Sequence, residues 1–563
     1  MEKHSRIVFF LVLVVTALVF SGSLSLKWTN WDDDLYVYEN KLVREGALKK
    51  IITPPADPAN YNTYSPLVIS SFALEWKLVK DRPFLYHFNN LLLHILCTAL
   101  AWFFFRRMGL SVWWSGFAAL FFGIHPMRVE SVAWITERKD LLYALFYLAA
   151  LLAYIRYIAS NKALTLLLVF VFFMLSLYSK VQAITMPFVL ILLDWYFNRK
   201  IGLKVIGEKI LFFAGSLVIG VSFMIGINFL ARKAEVITFD KILVFLKQIM
   251  LGVYAYTAYI FKLFIPYTTS PLYPPPASLR AEHWIGVAIA FVILISALAV
   301  WRKYRFITFG VMFFTLNIIL LPFASAVGDS TFLNDRYTYV AYIGLIFVVA
   351  IGMQRLSEKL PSCRLPVAAV AIILLSVFSA LTVKYIPVWK NGETLWTHVI
   401  EKYPRQIPVA YLNRGHYWYK NNQRGNALED FSTAIEIHPA YLKAYMNRGL
   451  IYLESNDTEN ALKDYNCILD LMSPYDTSGN VLNPSVSDAL GNRGIIYSKM
   501  GQYEKAIPDF SLAIKLNPPN ANNYINRAYV YYKSRRMAEA KNDIETARSM
   551  GAIIAPSLEK LIY

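Results

Sequence analysis

Charged side chains are scarce through roughly the first 385 positions of this 563-residue sequence and become dense only from Trp389 onward. They make up 17% of the whole against 56% hydrophobic residues, with a mean hydropathy of +0.41, which excludes an ordinary soluble globule. Cysteine is almost absent: Cys97, Cys363 and Cys467 are scattered and odd in number, with neither a disulfide framework nor metal-ligand spacing. No Walker A or dinucleotide-type glycine loop appears, and no zinc-type His/Glu spacing, so an ATP or sugar-nucleotide site has no support. The formal net charge of +18 does not argue for nucleic acid, because many Lys and Arg sit in short loops between apolar runs, where retention of positive charge in the cytoplasm puts them.

What is abundant is apolar sequence. A bilayer crossing takes about 20 apolar residues, and the runs from 7–26 through 88–105 to 366–386 make eleven or twelve spans. The first follows Lys3 and Arg6 and ends in Ser21, Gly22 and Ser23, the pattern of either a first span or a signal peptide. On both readings the next segment faces the extracytoplasmic side, and alternation then places Arg106, Arg107, Lys162, Arg199, Lys200 and Lys204 inside. A full crossing by 242–265 would put Arg302, Lys303 and Arg305 outside, so this segment is expected to be re-entrant or interfacial. Eleven spans then remain, and the chain after Ile386 emerges outside. The expected organisation is an all-α chain with a polytopic transmembrane bundle over 1–388. Its outer loops are 27–87, 125–140 and 324–338. A linker with a degenerate leading repeat follows at 389–406, and a repeat domain of about four units fills 407–563.

In that last part Asn-Arg-Gly recurs at Asn413, Asn447 and Asn492, with Asn-Arg-Ala at Asn526, at spacings of 34, 45 and 34 residues. Asp430, Asp464, Asp509 and Asp543 keep the same rhythm, which is the period of tetratricopeptide (TPR) helix-turn-helix units stacked as a solenoid. The extra 11 residues fall around 476–484, a Ser/Gly/Asn/Pro stretch that reads as a loop insertion. The repeated Tyr, Asp and Asn-Arg are read mainly as fold residues. A concave surface suited to a polypeptide partner or acceptor is the general expectation for such an array.

Polar residues cluster at the expected outer surface in three groups. Asp32, Asp33 and Asp34 follow the first span; three adjacent carboxylates repel one another, so they suit a cation, a hydroxyl nucleophile or a charged substrate, with a solvated loop as the plain alternative. His125, Glu130, Arg138 and Lys139 lie in an unusually basic outer loop, where an Arg with a nearby Lys suits a phosphate and interfacial anchoring is the alternative. Arg336 and Tyr337 precede the eleventh span, where Arg336 meets a lipid phosphate or snorkels to the interface. His87 and His94, on an apolar helix, read as hydrogen-bonded core residues.

In order, Asp32-Asp33, Tyr64-Ser65-Pro66-Leu67, Tyr86-His87-Phe88-Asn89-Asn90 with His94, His125-Pro126, Val129-Glu130-Ser131, Glu137-Arg138-Lys139-Asp140 and Asp335-Arg336-Tyr337, followed by the repeats, resemble the transmembrane and TPR-repeat-containing O-mannosyltransferase family and its bacterial relatives, of the GT-C class. The likeness covers nearly the whole chain. It departs at Ser179-Lys180-Val181-Gln182, where relatives commonly carry a Lys-Glu pair.

The resemblance implies inverting transfer of a hexose from a polyprenyl-phosphate carrier to a hydroxyl at the outer face. Asp32 or Asp33 would be the base, and Arg138 and Arg336, with Lys139 and Lys180, would stabilise the departing lipid phosphate. Within the class some enzymes use a divalent metal and others none, so Asp32, Asp33 and Asp34 leave a metal open. Two other readings compete. A non-catalytic membrane scaffold displaying TPR repeats treats the polar loops as anchors. A transporter would instead place ionisable residues at mid-membrane.

Overall fold

The computed structural model describes residues 3–54, 64–230, 239–266, 268–320, 331–472 and 484–563. Parts of two outer loops, at 55–63 and 324–330, lie outside these residues, as does the insertion at 476–484 but for its last residue. Every regular element among the described residues is a helix, and the chain divides into two compact units, Met1–Lys402 and Tyr403–Tyr563.

Among the described residues of the first unit, eight helices are long and apolar enough to cross a bilayer, including Lys3–Ser25, Pro83–Arg107, Asp335–Lys359 and Pro361–Trp389. Four shorter apolar helices, Val112–Ile124, Ala163–Ser179, Val181–Tyr196 and Arg305–Ile318, accompany them. Helices satisfy their own backbone polar groups, which is what allows such a bundle to sit in hydrocarbon. Leu217, Ile295 and Ile372 point outward and exposed, the surface a lipid-facing protein presents. Where Arg305–Ile318 meets Thr338–Lys359 the backbones touch, because a Cβ at Gly310 would lie 2.4 Å from the carbonyl oxygen of Gly344.

The bundle has two distinct ends. At one, Arg305 reaches Asn198, the Trp195 and Trp301 rings face each other and the Ser111 amide donates to Gln354. At the other, the segments 27–34, 125–140, 262–266, 268–273, 334–338 and 389–402 come together. Here the Lys27 amide donates to the Lys390 carbonyl at 2.9 Å, and Trp396 Nε1 donates to Asn30 Oδ1 at 3.0 Å.

The helix Phe239–Phe264 is unbroken, and Leu243–Phe264 is long and apolar enough to cross. Among its described side chains, Lys247 donates to the Ala277 carbonyl and the Tyr254 ring meets His283. Tyr256 pairs with Thr315, Thr257 donates to the Gly286 carbonyl, Tyr259 bonds Asn334 and receives Tyr342, and Lys262 approaches Asp335. The helix Gly392–Lys402, read from sequence as part of a leading repeat, packs within this first unit.

Among its described residues the second unit is four helix pairs, from Pro408–Lys420 with Arg424–Ile437 to Ala521–Lys533 with Met537–Ser549, closed by Pro556–Ile562. The Arg of each Asn-Arg pair makes a two-pronged bond to the Asp of the partner helix: Arg414 to Asp430, Arg448 to Asp464, Arg493 to Asp509 and Arg527 to Asp543, all at 2.6–2.9 Å. Arg448 and Arg527 also donate to Ser432 and Ser511, in the pair before their own. Each helix-to-helix turn carries one left-handed residue in the same register, at Asn422, Asn456, Gly501 and Arg535, a signal the repeat spacing alone did not reveal.

Candidate active site

The second end of the bundle holds an enclosed group of charges. Asp33 anchors the first loop to it. Its Oδ2 accepts from the Thr29 amide and hydroxyl, at 2.9 and 2.8 Å, and its Oδ1 from those of Thr136, at 3.2 and 2.6 Å. Burial pushes the Asp33 carboxyl up to about 6 against the opposing pull of these four bonds. Asp32 is half-buried beside it. Burial raises its carboxyl too, Lys139 opposes the rise and Glu137 adds to it.

Three cations surround the Glu137 carboxylate: Lys139 at 3.1 Å, Arg336 at 3.4 Å and Lys180 at 3.7 Å. Their side chains are only 19%, 16% and 12% exposed, and that of Glu137 is fully buried, so solvent screens these charges weakly. Lys180 also binds Asp140, which accepts from Ser131 at 3.1 Å. Arg336 binds Glu130 through its side chain at 2.5 Å and its amide at 3.0 Å. Burial, opposed mainly by Arg336, pushes Glu130 up to about 7. Tyr337 lies under Lys180 and Arg336, with its ring centre 5.4 and 5.3 Å away.

Four indoles brace the group. Trp31 stacks on Trp134 with ring centres 4.4 Å apart, Trp134 stacks on Trp389, and Trp396 meets the edge of Trp31. Lys139 and Arg336 both lie over Trp134.

The structure therefore gathers Asp32, Glu130, Lys139, Lys180, Arg336 and Tyr337, and leaves two expected residues elsewhere. Arg138 is buried against Glu75 at 2.5 Å, Asn90 at 2.8 Å and the Tyr86 carbonyl at 2.9 Å, with Phe72 stacked on its guanidinium. It has no edge left for a phosphate. The cause is helical geometry: Arg138 and Asp140 differ by about 200° around the helix axis, so one faces the charge group and the other faces away.

His125 is a core residue. Its Nδ1 accepts from the Met127 amide and its Nε2 donates to the Leu263 carbonyl, at 3.2 and 3.0 Å. His94 bonds Tyr339 and the Gly123 carbonyl in the same manner. The acidic run does not assemble as a metal site, because both Asp33 oxygens are engaged. Among the described residues no group of three His, Cys, Asp or Glu side chains is placed to hold a metal ion.

Glu137 and Asp140 join the charge group although the sequence gives them no evident place in a site. Their signal was the acid at each end of Glu137-Arg138-Lys139-Asp140, where a helix begins. The contributions of Trp389 and Trp396, more than 250 residues beyond Trp134, had no sequence signal.

Sequence profiles of the tetratricopeptide repeat match residues 412–471 and 487–520. The chain is similar to the protein O-mannosyl-transferase F38B6.6 of Caenorhabditis elegans, 25% identical over 68% of this chain and 55% of that protein. It is also similar to the protein O-mannosyl-transferases TMTC3 and TMTC1 of Mus musculus. TMTC3 is 29% identical over 26% of this chain and 16% of that protein, and TMTC1 is 36% identical over 18% and 11%. The matched regions thus span about half the length of the worm relative and less than a fifth of the mouse ones. The relatives carry the name of the family that the ordered motifs resemble, and the chain is a multi-pass membrane protein with a TPR array.

Proposed function

We propose that this protein transfers a hexose, mannose-like in view of its relatives' names, from a polyprenyl-phosphate carrier to a hydroxyl group on protein. Transfer takes place at the extracytoplasmic face, in the manner of GT-C enzymes, and the TPR array recruits the acceptor or a partner. The observation that carries this reading is the gathering of Lys139, Lys180 and Arg336 around one buried carboxylate, beside Asp32.

The chemistry follows from that set. Asp32 takes the proton of the acceptor hydroxyl as its oxygen bonds to the anomeric carbon from the face opposite the leaving group. The bond between that carbon and the lipid phosphate breaks, its electron pair goes to the phosphate oxygen, and the sugar inverts. Lys139, Lys180 and Arg336 stabilise the negative charge that develops on the phosphate, more strongly in an enclosed site than in water. Glu137 holds the three cations in place before the donor arrives. Glu130, with its carboxyl near 7, is readily neutralised when a phosphate competes for Arg336. The carboxylates of Glu137 and Asp140 stand beside Lys180, the position where the resemblance implies a Lys-Glu pair.

The deciding experiment is transfer of labelled mannose from polyprenyl-phosphate mannose to protein in membranes holding equal amounts of wild type and Asp32→Asn. A loss of roughly 10²-fold or more is expected. Equal transfer by the variant would remove Asp32 as the base. No transfer by either would favour a non-catalytic, membrane-anchored TPR scaffold.

A further inference from the structure

Arg128 adjoins the charge group and takes no part in the mechanism above. It ends the short helix Pro126–Arg128, two residues before Glu130, and is 0% exposed. Its Nε, Nη1 and Nη2 are all buried, and none has a hydrogen-bond partner. Three rings enclose the guanidinium instead: Phe122, Tyr339 and Tyr342, with centres 5.2, 5.1 and 5.2 Å from its central carbon. Tyr339 and Tyr342 belong to the helix that follows Asp335-Arg336-Tyr337, so the cage is joined on both sides to the bond between Glu130 and Arg336. Burial pulls the Arg128 pKa down to about 10, which leaves the side chain charged at neutral pH.

A buried charge without a hydrogen bond is costly, even over aromatic faces, and the charge group shows what it offsets. There the carboxylates of Asp32, Glu130, Glu137 and Asp140 stand against three cations, Lys139, Lys180 and Arg336. A lipid phosphate brings still more negative charge, and with Glu130 neutralised the remaining acids match the cations one for one. The carboxylates that Arg128 faces are Asp140 and Asp335. Asp335 already has Lys262 at 3.7 Å and Lys402 facing it, so the acid left for Arg128 to balance is Asp140, the partner of Lys180. Arg128 and Asp140 are both fully buried, so solvent screens their attraction weakly.

We infer that Arg128 is a positioning residue for the lipid phosphate: its buried charge balances Asp140 and so leaves Lys180 free to attract the anion, although Arg128 itself never touches it. The inference rests on the lipid-phosphate reading of the charge group, and it accounts for a buried cation that makes no side-chain hydrogen bond.

The test is binding of sugar-free polyprenyl phosphate and of uncharged polyprenol to the full-length protein in lipid nanodiscs. Arg128→Met removes the charge and breaks no side-chain hydrogen bond, so the melting temperature should be unchanged or raised. Its affinity for polyprenyl phosphate is expected to fall roughly tenfold while that for polyprenol stays the same, and Arg128→Lys should keep most of the wild-type affinity. A Met variant that binds the phosphate as tightly as wild type, loses both lipids alike, or is no weaker than the Lys variant would overturn the role. Wild type that does not prefer the phosphate to polyprenol would overturn the lipid-phosphate reading and the role together. An Arg128 effect on phosphate binding in a protein that transfers no mannose would support the role and overturn the glycosyltransferase reading alone.

Discussion

At Asp33 each carboxylate oxygen accepts two hydrogen bonds, and the side chain is 1% exposed. In Asp33→Asn an NH2 group would face one of these donor pairs and strand a backbone amide of Thr29 or Thr136, at a cost of about 1–3 kcal/mol. Thermal unfolding in detergent should therefore show a lowered Tm for Asp33→Asn and a nearly unchanged one for Asp32→Asn. Equal midpoints would mean that the loop is held some other way. Because the folded Asp33 carboxyl lies near 6 against an ordinary 3.8, the folded state binds the extra proton between those values. Its contribution favours the fold below that window and is lost as pH rises through about 6, a slope that Asp33→Asn should lack. For Asp32 the pH dependence appears in rate. A base must be ionised, and burial raises this carboxyl, so transfer should decline on the acid side at a pH above the ordinary carboxylate range. A midpoint at or below 3.8 would point to another base.

Among the helices, the contact between Arg305–Ile318 and Thr338–Lys359 is the least tolerant of added volume. A Cβ at Gly344 would lie 2.4 Å from the Gly310 carbonyl oxygen and 2.9 Å from Phe313 Cβ, whereas one at Gly352, on the same helix, meets nothing within 4 Å. Backbone cannot swing aside as a flexible side chain can, so Gly344→Ala should cost about 1–3 kcal/mol and Gly352→Ala close to nothing. Matching melting curves for the two would show that the helices separate freely. In the repeats the period told more than the residue types did. It fixed the pairing of helices, and the Arg-to-Asp bonds across each pair explain why Asn-Arg and Asp keep one rhythm. The left-handed turn residues carry no such rhythm in the sequence, because Asn422, Asn456, Gly501 and Arg535 share a conformation rather than an identity.

On the scale of the whole molecule the topology follows from which segments share an end. Loop 27–34 and helix Gly392–Lys402 meet at one end of the bundle, which requires an even number of crossings between them. An interfacial Phe239–Phe264, which the charge rule asks for, gives ten and a crossing one gives eleven. In whole cells, with Cys363 and Cys467 replaced by Ser, a membrane-impermeant maleimide should label Lys505→Cys and spare Lys359→Cys. The reverse pattern would place the repeats inside. The sequence by itself determined the membrane class, the TPR array and most of the charged residues of the site, because hydropathy, period and short polar motifs are local properties of the chain. Only the tertiary structure decided that Arg138 and His125 serve the core, that Asp32 rather than Asp33 keeps its carboxyl available, and that Trp389 and Asp335 join residues from the first 140 positions. Those outcomes depend on which way each side chain points and on what distant segment packs against it, and neither is written in spacing along the chain.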